Sequence, residues 1–178
     1  MMRSRSDACG ALTGGVRNTG RWVAPHPQRG DTGQAVSQEN VEIVRRLQPS
    51  PDTDLVALFL DDAAFGALAP FFHDDCEIVA PSEIRGGESE PRIGLEGLRA
   101  AWLDWLDPWE SYRVEIEDVI DAGEHVVVLP RDYGRRAGMD VEVGVLGGTV
   151  WTVRNGKIAR VAFYLHRSEA LEAAGLSG

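Results

Sequence analysis

Cysteine and long apolar runs are scarce in this chain of 178 residues. Its two cysteines, Cys9 and Cys76, are too few for a disulfide framework or for a zinc site built on paired thiolates. No segment approaches the roughly 18 uncharged apolar residues that a membrane-spanning helix needs. The uncharged apolar run at 126–130 has only the length of a strand. We therefore expect a cytoplasmic protein with neither a metal site nor a membrane segment.

Basic residues are also in the minority, since 18 Lys and Arg stand against 28 Asp and Glu, for a formal net charge of -10. Proteins that bind nucleic acids or anionic membranes need a surplus of positive charge to neutralise phosphates. The composition therefore argues against both partners. Lys157 is the single lysine, and this preference for arginine is typical of a high-G+C genome.

The first 36 residues differ from the rest in composition. They are rich in Gly, Ser, Thr and Arg and show no apolar periodicity. We expect residues 1–36 to be a disordered extension and residues 37–176 to form the single folded domain. A start assigned too far upstream, with translation beginning at Val36, would explain the extension, and an organellar transit peptide is the alternative.

The first half of the domain predicts helices and one strand. Ser37 is a good N-cap for an apolar helical stripe that ends at Pro49. Acidic residues begin two further helices, and apolar residues at helical spacing predict the longest helix before Pro108. The predicted helices cover 37–47, 55–60, 63–72 and 95–106, and an alternating strand covers 76–80.

The second half predicts a sheet. Alternating apolar side chains indicate strands over 112–117, 126–133, 141–153 and 157–165. Asn155 and Gly156 form a two-residue pattern typical of a hairpin, and Ser168 and Gly175 bound a last helix. Helices followed by consecutive strands are typical of an α+β fold in which a curved antiparallel sheet wraps around the helices.

Five segments carry a family resemblance: SQENVEIVRR at 37–46, GLEGLR at 94–99, YRVEIE at 112–117, VWTVRNGKI at 150–158 and YLHRSEALEAAGL at 164–176. They resemble bacterial SnoaL-like proteins, a group of the nuclear transport factor 2-like (NTF2-like) superfamily. The resemblance implies an α+β cone, closed by helices, with an apolar pocket inside. The same cone serves ketosteroid isomerases, polyketide cyclases, dehydratases and non-catalytic dimers, so the fold alone does not choose a function.

The resemblance permits a comparison with the ketosteroid isomerase site, which needs a carboxylate base and an oxyanion hole made of a phenol and a protonated acid. By that resemblance, the base position is Ala80 and the phenol position is Leu47. The supporting tyrosines correspond to Phe72 and Trp102, and the protonated acid corresponds to Thr149. None of these side chains can do the isomerase chemistry, so we expect the steroid-type catalytic set to be missing.

Tryptophans provide rigid apolar walls that suit a flat hydrophobic ligand, with core packing as the alternative. Arg131 would be a polar anchor for an anionic or carbonyl-bearing ligand if strand alternation turns it inward. Together with the five positions above, these residues form the predicted ligand pocket: Leu47, Phe72, Ala80, Trp102, Trp105, Arg131, Thr149 and Trp151.

Acidic residues matter because a polyketide cyclase needs one in its cavity as acid and base. The sequence offers Asp132 and Glu83 as candidates for this catalytic role. His73, Asp74 and Asp75 are consecutive, so their side chains point in different directions and cannot converge on a metal ion. We therefore expect no metal, and none of the motifs calls for an organic cofactor.

Three functions fit this sequence. The first is a homodimer, formed through the open sheet face, that binds a small hydrophobic or polyketide-like molecule in its pocket. The second is a non-enzymatic dimerisation or scaffold module whose cone is filled by its own Trp and Phe side chains. The third is a cofactor-independent cyclase or dehydratase, which predicts an acid with a raised pKa in the pocket. A large cavity would argue against the second.

Overall fold

A computed structural model of the protein describes residues 29–81 and 90–176. Cys9, Glu83 and the extension up to residue 28 lie outside these ranges. The elements are α1 (Arg29–Leu47), α2 (Leu55–Leu60), α3 (Asp62–Gly66), β1 (Phe72–Val79), β2 (Arg92–Ile93), α4 (Gly94–Leu106), β3 (Ser111–Ala122), β4 (His125–Arg135), β5 (Glu142–Val145), β6 (Gly148–Arg154), β7 (Lys157–Tyr164) and α5 (Arg167–Ala173).

In the described residues, seven strands form one sheet in the order β2-β1-β7-β6-β4-β3, and β5 pairs with β4. The strands from β3 onward follow one another as the predicted antiparallel meander, with the β6–β7 hairpin turning at Asn155 and Gly156. β1 runs parallel to β7, so the sheet is mixed, whereas a purely antiparallel sheet was expected. Parallel strands need a long connection between them, and α4 together with the whole meander provides that connection between β1 and β7.

The two faces of the sheet have different partners. The inner face packs against α1 and α4 through a core that includes Val44, Leu98, Ile78 and Val128. The outer face packs against α5, where Ala170 meets Val127 and Val150. This arrangement is the expected α+β cone, with the N-terminal helices inside the curve of the sheet.

Some element boundaries differ from the sequence prediction. α1 begins at Arg29 rather than Ser37, because no proline interrupts the helix before Pro49, and Ser37 donates a hydrogen bond to Asp121 at the end of β3 instead of capping. The helix predicted over 63–72 is divided. α3 ends at Gly66, and Pro70 lies at the start of a short 3-10 turn that leads into β1.

Pro130 interrupts the hydrogen bonding of β4 near its middle. Proline has no N–H to donate to a neighbouring strand, so the ladder must adjust around it. On the β3 side the register shifts at this point: Ile116 pairs with Pro130 and Asp118 pairs with Leu129, which leaves Glu117 as the extra residue of a bulge. A bulge of this kind bends the strand and increases its twist.

The other side of Pro130 is interrupted as well. β5 and β6 pair with β4 in one continuous register, and the ladder is missing only between them, where Gly147 lies opposite Pro130. The carbonyl of Pro130 instead accepts a hydrogen bond from Arg167 on α5, at 2.7 Å. This hydrogen bond connects α5 to β4 at the residue where the regular pairing of β4 is interrupted.

Gly148 allows α5 to lie close against the sheet, since a Cβ at this position would be 2.5 Å from the Cβ of Ala170. We predict that Gly148→Ala lowers the free energy of unfolding by about 1–3 kcal/mol, the usual effect of overpacking. Chemical denaturation measures it. Gly144→Ala, in the neighbouring strand, is the control, because a Cβ at this position would lie 3.9 Å from its nearest neighbour, the carbonyl oxygen of Asp132. Equal losses in both variants would contradict the packing explanation.

Candidate functional site

A cavity of about 380 Å³ lies between the inner face of the sheet and the helices α1, α2 and α4. Most of the side chains around it are apolar. Seven of the eight residues predicted to form the pocket line this cavity: Leu47, Phe72, Ala80, Trp102, Trp105, Thr149 and Trp151. Asp132, one of the two predicted acids, lines it too.

Arg131 is the exception, and the structure corrects its expected position. Pro130 and Asp132 face the cavity, so the alternation of β4 turns Arg131 to the outer face. There its Nε donates to Glu117 at 2.5 Å, and Arg167 contacts the other oxygen of the same carboxylate. Arg131 is therefore part of an outer ion-pair group and not a ligand anchor inside the cavity.

Trp102 forms the centre of the aromatic wall. Its ring stacks on Phe59 at 5.2 Å between centroids and meets the edge of Phe163 at 5.7 Å. Trp102 belongs to both apolar clusters of the core that lie inside the cone, so it packs against neighbours and also faces the cavity. Core packing and a pocket wall, weighed as alternatives from the sequence, are thus combined in one side chain.

Asp132 is the acidic group inside this apolar space. Its Oδ1 is buried and has no hydrogen-bond partner in the described part of the chain. Burial raises the pKa of Asp132 to about 6, although the Tyr112 hydroxyl and the charge of Arg167 act in the opposite direction. A buried polar atom without a partner is rare in folded proteins and calls for an explanation.

Tyr112 lies behind Asp132 and was missed by the sequence analysis. It is fully buried, and its hydroxyl lies close enough to the Asp132 carboxylate to act on its pKa but makes no hydrogen bond of ordinary geometry to any residue described. Burial, together with the charge of Asp132, raises the pKa of Tyr112 well above its usual range. The ring contacts Trp105 and Trp109, and Trp109 covers Gly134, the strand partner of Tyr112.

Other reactive side chains lie elsewhere or are unreactive. Burial raises the pKa of Cys76 to about 11, which keeps it a thiol and not a nucleophile. His73 contacts the Arg154 carbonyl at 2.7 Å, while Asp75 pairs with the Arg154 guanidinium. The described residues contain no group of three His, Cys, Asp or Glu side chains that could hold a metal ion. Within the same ranges, no helix is long and apolar enough to cross a membrane.

The family of the protein follows from a comparison with family models. The model of the SnoaL-like domain matches residues 53–161, which is more than half of the chain. The protein therefore belongs to the SnoaL-like family, as the five sequence segments indicated. No curated protein matches the sequence significantly.

Solved structures share the fold. TerC, co-crystallised with polyporic acid, is 18% identical with a TM-score of 0.53, over 77% of this chain and 98% of TerC. A protein proposed to be a SnoaL-like polyketide cyclase, from Jannaschia sp. CCS1, is 20% identical with a TM-score of 0.55, over 79% and 94% of the two chains. Bal32a, from a soil-derived mobile gene cassette, is 18% identical with a TM-score of 0.53, over 72% and 89%. These similarities confirm the NTF2-like cone.

The raised pKa of Asp132 predicts how stability depends on pH. The unfolded carboxyl titrates near 3.8 and the folded one near 6, so the folded state binds more protons between these values and loses stability as pH rises through them. Asp132→Asn cannot titrate. We expect the stability of this variant relative to the wild type to increase by about 2–3 kcal/mol from pH 4 to pH 7.

Urea denaturation across this pH range measures the difference. Asp52→Asn is the matched control, because Asp52 is exposed and hydrogen bonds to none of the described residues. A difference between Asp132→Asn and the wild type that does not change with pH would show that the carboxyl of Asp132 titrates normally in the folded protein.

Proposed function

We propose that this SnoaL-like protein binds a flat, largely apolar, polyketide-like molecule in its cavity and moves a proton on that molecule with Asp132. The observation that carries the proposal is the carboxylate of Asp132, a residue that lines the apolar cavity and whose buried Oδ1 lacks a partner within the described residues. This is the cofactor-independent cyclase or dehydratase function, and it includes the ligand-binding function as its first step.

The size of the cavity favours a ligand over a self-filled cone. Small-molecule pockets have volumes of about 300–1,000 Å³ and mostly apolar walls with a few polar groups. The cavity of about 380 Å³, with Trp102, Trp105 and Trp151 in its wall, lies within this range. A scaffold module filled by its own aromatic side chains would leave no such space, so we favour the pocket.

The pKa of Asp132 suits proton transfer at neutral pH. With a pKa of about 6, the group is mainly a carboxylate and can act as a base, yet its protonated form is close enough in free energy to act as the acid afterwards. The carboxylate removes a proton from a carbon next to a carbonyl group and leaves an enolate. In a cyclisation, the enolate carbon then forms a bond to a second carbonyl carbon of the same molecule, and the new carboxylic acid protonates the resulting alkoxide. In a dehydration, the acid instead protonates a departing hydroxyl that leaves as water.

The proposal does not extend to steroid-type isomerisation. The five positions that correspond to the isomerase catalytic set line the cavity with the side chains Leu47, Phe72, Ala80, Trp102 and Thr149, none of which is a base or a phenol. The names of two solved relatives, one proposed to be a polyketide cyclase and one co-crystallised with polyporic acid, support a small organic ligand for this chain.

Native mass spectrometry of the full chain, followed by denaturing extraction, tests the binding step. We expect a stoichiometric organic molecule to leave the cavity. A protein that is purified empty from its own host, and whose tryptophan fluorescence does not respond to a panel of hydrophobic ligands, would support the scaffold module instead.

Deuterium exchange tests the proton transfer without knowledge of the whole reaction. The extracted molecule is incubated with the protein in D2O, and NMR follows deuterium uptake at carbons next to carbonyl groups. We expect Asp132→Asn to slow this exchange by about 10²–10⁴-fold, while binding changes little, because a general base contributes a factor of this order. Exchange at the wild-type rate in this variant would reduce the proposal to ligand binding alone.

The homodimer through the open sheet face is part of the same proposal. Outside the area under α5, this face carries ion pairs, including Arg113 with Glu115 and Glu142, and Arg160 with Glu77. A dimer built on them would weaken as salt screens the charges. Light scattering at low and high salt should therefore show a dimer that dissociates, and a monomer at low salt would rule this interface out.

A further inference from the structure

Thr149 presents a hydroxyl donor at the cavity wall, and one neighbour restricts the directions in which it can donate. Thr149 and Trp151 lie two residues apart on β6, and both line the cavity. The indole Nε1 of Trp151 donates to the Thr149 Oγ1 at 2.7 Å. Because this oxygen accepts the indole hydrogen, the proton of the hydroxyl must point elsewhere. The part of the chain that the structure describes offers it no acceptor.

Asp132 lies on the same face, some distance along the sheet. Thr149 pairs directly with Val128 on β4, and Asp132 is four residues further along that strand. Residues separated by an even number share a face, and each residue advances about 3.3 Å, so the two backbone positions are about 13 Å apart along the sheet. The wall between them is apolar and includes Val128 and Pro130.

The distance between these positions limits what can contact both of them. The side chains and one hydrogen bond of about 2.8 Å at each end take up part of the spacing between the two backbone positions, so the polar atoms of a bridging molecule lie several ångströms apart. Groups at opposite ends of a single six-membered ring meet this requirement. The aromatic wall around Trp102 requires the connecting body to be apolar and flat.

We propose that Thr149 and Asp132 are two anchors for one ligand, with a carbonyl oxygen that accepts from Thr149 and, at the opposite end of an aromatic or conjugated ring, a hydroxyl group that contacts Asp132 and is the enol form of a second carbonyl group, next to whose carbon Asp132 moves the proton. This rests on the proposed function and deepens it, since it names the substrate class and its orientation. Trp151 acts as a positioning residue, because its indole occupies one side of the Thr149 oxygen and restricts the hydroxyl proton to the remaining directions.

Four diphenyl compounds of nearly equal shape test the two anchors. 4-Hydroxybenzophenone has both polar groups, benzophenone lacks the hydroxyl, 4-benzylphenol lacks the carbonyl and diphenylmethane lacks both. Calorimetric titration of the full chain at neutral pH measures their affinities. We expect 4-hydroxybenzophenone to bind about 3- to 10-fold more tightly than either singly reduced compound, since a net hydrogen bond contributes that factor.

Variants of Thr149 and Asp132 show which residue is responsible for the preference for the carbonyl group and which for the preference for the hydroxyl group. Thr149→Val should remove the preference for the carbonyl and leave the preference for the hydroxyl, and Thr149→Ser, which keeps the hydroxyl, should retain both. Asp132→Leu should remove only the preference for the hydroxyl. Circular dichroism and the dispersion of the backbone amide resonances report whether each variant folds, so that a lost preference is measured on folded protein.

The outcomes separate this inference from the proposed function. Equal affinity for all four compounds in the wild type would overturn the two anchors while leaving an apolar pocket in place. A carbonyl preference that survives in folded Thr149→Val would overturn the role of Thr149. Failure of every compound to bind would overturn this ligand class, while extraction from the native protein still decides whether the pocket holds a molecule.

Discussion

The missing N–H of Pro130 is the constraint on which the architecture of the site depends. Pro130 lacks the one N–H that a strand residue offers to a neighbour, and the pairing around it is irregular on both sides, with a bulge at Glu117 in β3 and an interruption opposite Gly147 between β5 and β6. The central strand therefore bends where a regular ladder would hold it straight. Beyond this bend, Asp132 projects from the inner face, and Arg167 of α5 binds the free carbonyl.

The cavity combines features that oppose stability. An acid is held among aromatic side chains, its Oδ1 and the hydroxyl of Tyr112 lack partners within the described residues, and burial raises both of their pKa values. Folding alone would favour an apolar residue at position 132. Costs of this kind are concentrated at sites where a protein does chemistry, and for this reason we propose an active pocket rather than a scaffold.

Local sequence patterns predicted the elements well, because alternation and helical spacing are properties of neighbouring residues. α2 has the predicted bounds, and α4 has the predicted end. The side-chain directions on β4 were harder to predict. Alternation placed Arg131 and Asp132 on opposite faces, but which face is inner depends on how β4 pairs and packs. Tyr112 was missed because its approach to Asp132 depends on strand register and on the space that Gly134 leaves for Trp109.

An apolar cavity also links the lifetime of the protein to its surroundings. Atoms that line an empty space lack the dispersion contacts of a filled core. A molecule that binds only the folded chain would add about 2.7 kcal/mol to its stability at 100 times the dissociation constant. With a cavity of about 380 Å³ to fill, the occupied protein would unfold less often than the empty one and escape proteolysis longer. The abundance of the protein would then follow the supply of its ligand.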